Sequence, residues 1–331
     1  MQKTNRSTSR MRALRAVRNI GIAAAGLLVA VQVSGAVAPS VANTLNRLAG
    51  MKLFVNPDSP ARRQAEAWRH SRPQDAAVLE RIATQPVAKW MGNWNADIRR
   101  DVAAVMAQAS SQNAVPVFVA YNIPNRDCGS HSAGGSSGAK AYRSWIRQFA
   151  AGLGGKPSVV VLEPDAVAQI DCLTASAREE RFALISDAIG VLKAAHAVVY
   201  LDAGNSRWLE PGEAAKRLSS AGIAAADGFA LNVSNYQSTA SNVAYGEQVS
   251  RRVGGKHYVI DTSRNGAGGR GGEWCNVNGQ WLGAAPTTNT GHALVDAYLW
   301  IKQPGESDGT CNGGPRAGAW WPEYALALAV R

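Results

Sequence analysis

Six acidic residues stand where short apolar runs of this chain stop. The run "VVVLEPDAV" at 159–167 contains Glu163 and Asp165 at its break, and Asp127, Asp202, Asp261 and Asp308 follow comparable runs. One acid after a strand usually caps the next helix or closes a turn. Several on one rim repel each other, so one should keep its proton near neutral pH and act as a general acid beside ionised neighbours. An acid and a base facing each other across a cleft suit hydrolysis of an acetal. Ten tryptophans accompany these acids. Trp90, Trp94, Trp208 and Trp274 fall at strand or loop ends, where flat apolar faces can stack on pyranose rings, whereas Trp68, Trp145 and Trp300 fall in core-like patterns. None of the five His sits in a GxSxG or HExxH frame, so a Ser-His-Asp triad or a zinc hydrolase lacks its signature. His131 lies in the loop just past Cys128, where it could touch a ligand but reads more readily as incidental, while His196, His257 and His292 read as structural.

Residues so placed need strands to present them. Eight apolar runs qualify: "KLFVNP", "VAKWMGNW", "VPVFVAYN", "VVVLEPD", "AVVYLDAG", "GFALNVSN", "HYVIDTSRNG" and "AYLWIKQPGESDG". Helical stretches lie between them. Tyr142, Trp145, Ile146, Phe149 and Leu153 share one helical face, as do Phe182, Ile185, Ile189 and Leu192. Near-continuous apolar strands alternating with helices imply a parallel sheet covered by helices, either a closed barrel or an open doubly wound sheet. An open sheet gathers its chemistry at one switch point, whereas a barrel draws it from the carboxyl ends of many strands. Polar or aromatic residues end nearly every run here, which favours the barrel. No GxGxxG follows the first strand and no GxxxxGK[ST] occurs; the late "NGAGGRGG" at 265–272 reads as a flexible loop over the rim.

The formal charge of +11 suggests nucleic acid at first sight, but residues 1–42 carry six Lys/Arg and no Asp or Glu, leaving about +5 for the remainder. That leader has a basic stretch, an apolar segment from Ile20 to Ala38, and small residues Ser40 and Ala42, the order of a signal peptide cut after Ala42. An uncleaved anchor stays open as the alternative. Export to a secreted or periplasmic location suits the even cysteine count of four, for which three pairings are open. No CxxC and no His at zinc-ligand spacing from a Cys occurs, so no metal site is expected. The expected organisation is a signal peptide over 1–42 and one catalytic barrel over 43–331.

In order along the chain, "VFVAYNIPNRDCGSHSAGG", "VVVLEPDA", "YLDAGNSRW", "LNVSNY", "VIDTSRNGAGG", "GGEWCN", "TTNTG" and "WIKQPGESDG" resemble the signature segments of glycoside hydrolase family 6, the cellulases that cut β-1,4-glucan. The resemblance covers about residues 52–331. It implies a distorted, TIM-like parallel (β/α) barrel of about seven strands, so that one of the eight runs lies outside it, and hydrolysis with inversion, without metal or cofactor. It implies Asp165 as the general acid, Asp127 as the neighbour whose charge raises the acid's pKa and helps hold a water chain, and Asp308 as base or charge partner. Asp202 resembles a support of the charge network and Tyr121 the tyrosine below the reacting sugar. Trp90, Trp208 and Trp274 match stacking platforms, with Asn232, Lys302 and Glu306 read as ligands of sugar hydroxyls. The pairings implied are Cys128 with Cys172 and Cys275 with Cys311. Asn205 stands where the family commonly has His, which bears on binding near Trp208.

The expected partner is therefore a β-1,4-glucan or cello-oligosaccharide, with no nucleic acid and no lasting membrane association after processing, and the chain is expected to act as a monomer. A catalytic region of about 280 residues with short loops favours an open groove and endo action over the tunnel of an exo-acting cellobiohydrolase. A non-catalytic glucan-binding protein on a decayed barrel would have lost the acid, and Asp165 is present.

Overall fold

The computed structural model describes residues 45–129, 133–269 and 271–331. The expected signal peptide and His131 lie outside the described residues. Seven parallel strands, β1 (Lys89–Gly92), β2 (Val117–Tyr121), β3 (Ser158–Leu162), β4 (Ala197–Asp202), β5 (Gly228–Leu231), β6 (His257–Asp261) and β7 (Val295–Leu299), pair in sequence order. The sheet curls until β1 and β7 approach. The seam is joined just before β1 and just after β7, where the Ala88 N–H donates to Trp300 O at 2.9 Å and the Trp90 indole N–H to Ile301 O at 2.8 Å. This is the distorted barrel of about seven strands that the family resemblance implied.

The strands read as continuous apolar runs because both of their faces are buried. Successive side chains alternate between the barrel interior, with Val117, Val119, Val159, Val161, Tyr200, Val259 and Leu299, and the helical layer, with Phe118, Val160, Leu162, Leu201, Phe229 and Ile260. Leu48, from the segment ahead of the barrel, joins the interior cluster with no exposed surface. The eighth run, "KLFVNP", stays out of the sheet. It makes one bridge, Leu53 to Val115, beside the entry to β2.

Among the described residues, eight helices surround the strands: α1 (Pro60–Trp68), α2 (Pro73–Ala83), α3 (Ile98–Ser111), α4 (Ala139–Leu153), α5 (Ala175–Ala194), α6 (Pro211–Ser220), α7 (Thr239–Arg252) and α8 (Pro322–Ala329). α4 buries the expected face, Tyr142, Trp145, Ile146, Phe149 and Leu153, and ends on Gly154 at φ +62°, a left-handed cap that suits glycine. α5 begins where the Thr174 hydroxyl accepts the Ala177 N–H and buries Ile185, Ile189 and Leu192. Arg62-Arg63 and Arg251-Arg252 fall on α1 and α7.

Candidate active site

A cleft of about 980 Å³ opens at the carboxyl ends of the strands. Asp127, Asp165 and Asp308 line it, with Tyr121, Trp90, Trp94, Trp208, Trp274, Lys302 and Glu306. The acidic strand ends therefore divide into two groups, and the division is visible only in three dimensions.

Glu163, Asp202 and Asp261 point into the protein, not into the cleft, and tie neighbouring strand ends together. Glu163 accepts the N–H groups of Asn122 and Ile123 beyond β2, at 2.9 Å to one oxygen. Asp202 accepts the N–H of Asp165 at 2.9 Å and that of Gly204 at 3.2 Å. Asp261 accepts from Ser234 beyond β5 and from Lys302 beyond β7, both at 2.9 Å, and from Ser263. Where strands diverge at the rim, the ladder can no longer satisfy these N–H groups, and a buried donor without a partner costs about 1–3 kcal/mol. Carboxylates supply the missing acceptors. Asn232 works the same way: its amide donates to Asp261 O at 2.9 Å and its carbonyl accepts the Gln237 N–H at 3.1 Å. Asn232, expected as a sugar ligand, is fully buried here, ties these strand ends together and does not line the cleft. Asp202 likewise does not line the cleft; it meets the cleft acid Asp165 through the bond to its backbone N–H and through the charge of its carboxyl.

Asp165 is half-buried, and its carboxyl faces the cleft. Its pKa is pushed up to about 7, first by burial and then by the charge of Asp127; the Tyr121 hydroxyl, 3.3 Å from Oδ2, and Arg126 oppose the rise. The like charge invoked from sequence is thus the second cause, and desolvation is the first. Burial also lifts Glu163 to about 7 and holds Asp202 well above the carboxylate range. Of these three acids with raised pKa, only Asp165 meets the cleft.

Asp308 is the opposite case. Burial pushes its pKa up, but Arg264 Nη1 at 2.7 Å and Lys302 Nζ at 3.4 Å outweigh that and lower it. The Asn276 N–H adds a bond at 2.9 Å. Round the barrel, β3 and β7 are separated by β4 to β6 one way and β1 to β2 the other, so Asp165 and Asp308 enter the cleft from different sides. Lys302 keeps its charge because Glu306, at 2.9 Å, and Asp308 overcome the desolvation that would lower its pKa.

Trp90 meets the Tyr121 ring edge-on at 5.2 Å. Trp94 and Trp208 are 55% and 38% exposed, which leaves faces free for a flat ligand. Each leans on a glycine: a Cβ at Gly92 would stand 2.4 Å from the Trp94 ring, and one at Gly204 2.6 Å from that of Trp208. Asn205 is fully buried, and its carbonyl accepts the Arg207 N–H at 3.0 Å, so it shapes the turn leading to Trp208.

The disulfides are Cys128–Cys172 and Cys275–Cys311. The first ties the loop of Asp127 to that of Asp165 across a separation of 44 residues, worth about 4 kcal/mol in the chain-entropy treatment. Replacing both of its cysteines with Ser is expected to lower Tm by about 5–10 °C in thermal unfolding. An unchanged Tm would mean the two loops are fixed without it.

Sequence reading passed over Arg264, Arg126 and Asn276. Arg264 has no exposed surface and sits three residues beyond β6. A charged residue that close to the end of a fully buried strand was the available signal. The Arg126 guanidinium lies 4.2 Å from the Tyr121 ring centre and donates to Tyr121 O at 2.8 Å.

Comparison with known proteins places this geometry in context. The family described as Glycosyl hydrolases family 6 matches residues 48–331. Endoglucanase A of Cellulomonas fimi is 46% identical over 279 residues, 83% of this chain and 60% of that protein; the chain thus spans about three fifths of that relative. Endoglucanase 1 of Streptomyces halstedii is 41% identical over 288 residues, 83% of this chain and 87% of that protein. Among solved structures, the endoglucanase Cel6 from Mycobacterium tuberculosis, in complex with methyl-cellobiosyl-4-deoxy-4-thio-β-D-cellobioside, superposes with a TM-score of 0.82 at 45% identity, covering 86% of this chain and 98% of that one.

Proposed function

This chain belongs to glycosyl hydrolase family 6, and on that premise we propose that it is a secreted endo-β-1,4-glucanase that hydrolyses cellulose-type glucan with inversion. The observation that carries the reading is Asp165: a carboxyl facing the cleft whose proton is retained up to about pH 7. Asp165 gives that proton to the glycosidic oxygen as the bond to the anomeric carbon breaks. A water attacks that carbon from the opposite face, which inverts its configuration. Asp308, held below the usual carboxylate range, is a weak proton acceptor but a permanent anion; it stabilises the positive charge that develops on the sugar. Asp127 then takes the water's proton through a chain of waters. Tyr121, beneath the reacting ring, favours the distorted sugar. Lys302 and Glu306 bond its hydroxyls, and Trp90, Trp208 and Trp274 stack on its neighbours.

Two features support endo action and export. Trp94 and Trp208 remain exposed, as in an open groove, and the leader with two disulfides suits an oxidising compartment outside the cytoplasm. On carboxymethyl-cellulose, viscosity is expected to fall well before reducing ends accumulate, and NMR of fresh product should show the α-anomer first. Reducing ends rising in step with the viscosity loss would favour exo action, and a first-formed β-anomer would rule out the inverting mechanism.

A further inference from the structure

Arg181, in the first half of α5, is 3% exposed. Burial alone lowers an arginine's pKa, and the charge of Glu163 opposes that. The guanidinium donates to main-chain carbonyls of two different loops. Nη2 reaches Pro124 O at 3.0 Å and Asn125 O at 2.7 Å, in the loop after β2; Nη1 reaches Gln169 O at 3.1 Å and Ala166 O at 3.5 Å, in the loop after β3. Asn125 stands two residues before Asp127, and the Gln169 N–H donates to Asp165 O at 2.7 Å. The loops need holding. Asn125, Asp127 and Cys128 in one, and Glu163 and Asp165 at the other, have φ between 48° and 70°, a region that non-glycine residues occupy only where their surroundings enforce it.

We propose that Arg181 is a positioning residue that fixes the Asp127 loop against the Asp165 loop and so sets the relation of the two carboxyls; this rests on the reading of Asp165 as the general acid. The Cys128–Cys172 disulfide joins the same loops farther from the strands, and Arg181 joins them close to the strand ends. Only a planar fork with two nitrogens spans both sets of carbonyls; a lysine ammonium reaches one set. The groups around Asp165 are Asp127 and Arg126 from the loop after β2, Tyr121 from β2 and Asp202 from β4.

The test compares wild type, Arg181→Met, Arg181→Lys and Asp165→Asn on cellopentaose, with kcat, KM, pH profile and thermal unfolding. Releasing the loops should lower kcat about 100-fold in Arg181→Met and about 10-fold in Arg181→Lys, with KM within about two-fold. The alkaline limb of the profile, where the acid loses its proton, should move to lower pH as Asp127 draws away. A folded variant that keeps both kcat and that limb, whatever its Tm, overturns the proposal and leaves Arg181 a filler of buried carbonyls. If Arg181→Met does not fold, Arg181→Lys decides; if neither folds, the residue is a requirement of the fold and the proposal fails. Wild-type kcat in Asp165→Asn would instead sink the acid reading, independently of the Arg181 variants.

Discussion

Replacing Asp165 with Asn is expected to lower kcat on unactivated cello-oligosaccharides by about 10³–10⁴-fold, near the upper range for loss of a general acid, with KM little changed. The amide has nearly the same shape and keeps the Tyr121 contact, but it has no acidic proton for the leaving oxygen. Aryl cellotriosides with a dinitrophenolate leaving group need no such proton, so their hydrolysis should fall far less. A defect of equal size on both substrates would show that position 165 does not act by protonation. In the wild type, activity should decline as pH rises through about 7, where Asp165 loses its proton; in Asp165→Asn that limb should disappear.

Replacing Arg264 with Ala should have the largest effect on stability, a loss of about 3–5 kcal/mol in urea unfolding near pH 7, because it strips a buried carboxylate of its main partner. Both side chains are almost fully withdrawn from water, at 0% and 6% exposure, so solvent screening does not reduce the loss as it would at the surface. The pH dependence has a definite sign. Folding lowers the pKa of Asp308, so its ionised form stabilises the wild type above the unfolded carboxylate pKa, about 3.9, and that contribution is lost as pH falls through the lower folded value. The gap between Arg264→Ala and wild type should therefore narrow on acidification. A gap that is constant from pH 7 to pH 3 would mean the loss comes from packing around the guanidinium and not from its charge.

Most of the fold was legible because burial on both sides leaves a strong mark: strands such as "VVVL" and "VFVAY" have almost no choice but to lie between a core and a helical layer. The same mark misleads at "KLFVNP". Phe54 is buried and Leu53 and Val55 are partly so, but the partner the segment finds is the approach to β2, so a pattern that records burial cannot tell a barrel strand from a segment packed beside one. Asn205 shows the reverse: a position that looked like a change in sugar binding is a fully buried turn residue.

The residue types of the site, the acids beyond the strands, the tryptophans and the four cysteines, followed from the sequence alone, since each type must be present for its chemistry to exist. Which acids face the cleft and which tie the backbone was decided only by the tertiary structure. Glu163 and Asp165 are two residues apart, and regular alternation would send both the same way; instead φ of +48° turns Glu163 towards the backbone beyond β2 and the hydroxyl of Tyr142, while Asp165 reaches the cleft. Acidity was decided there too, because a carboxyl's pKa depends on the water it has lost and the charges beside it, and the arginine that holds Asp308 ionised comes from 44 residues away in the chain.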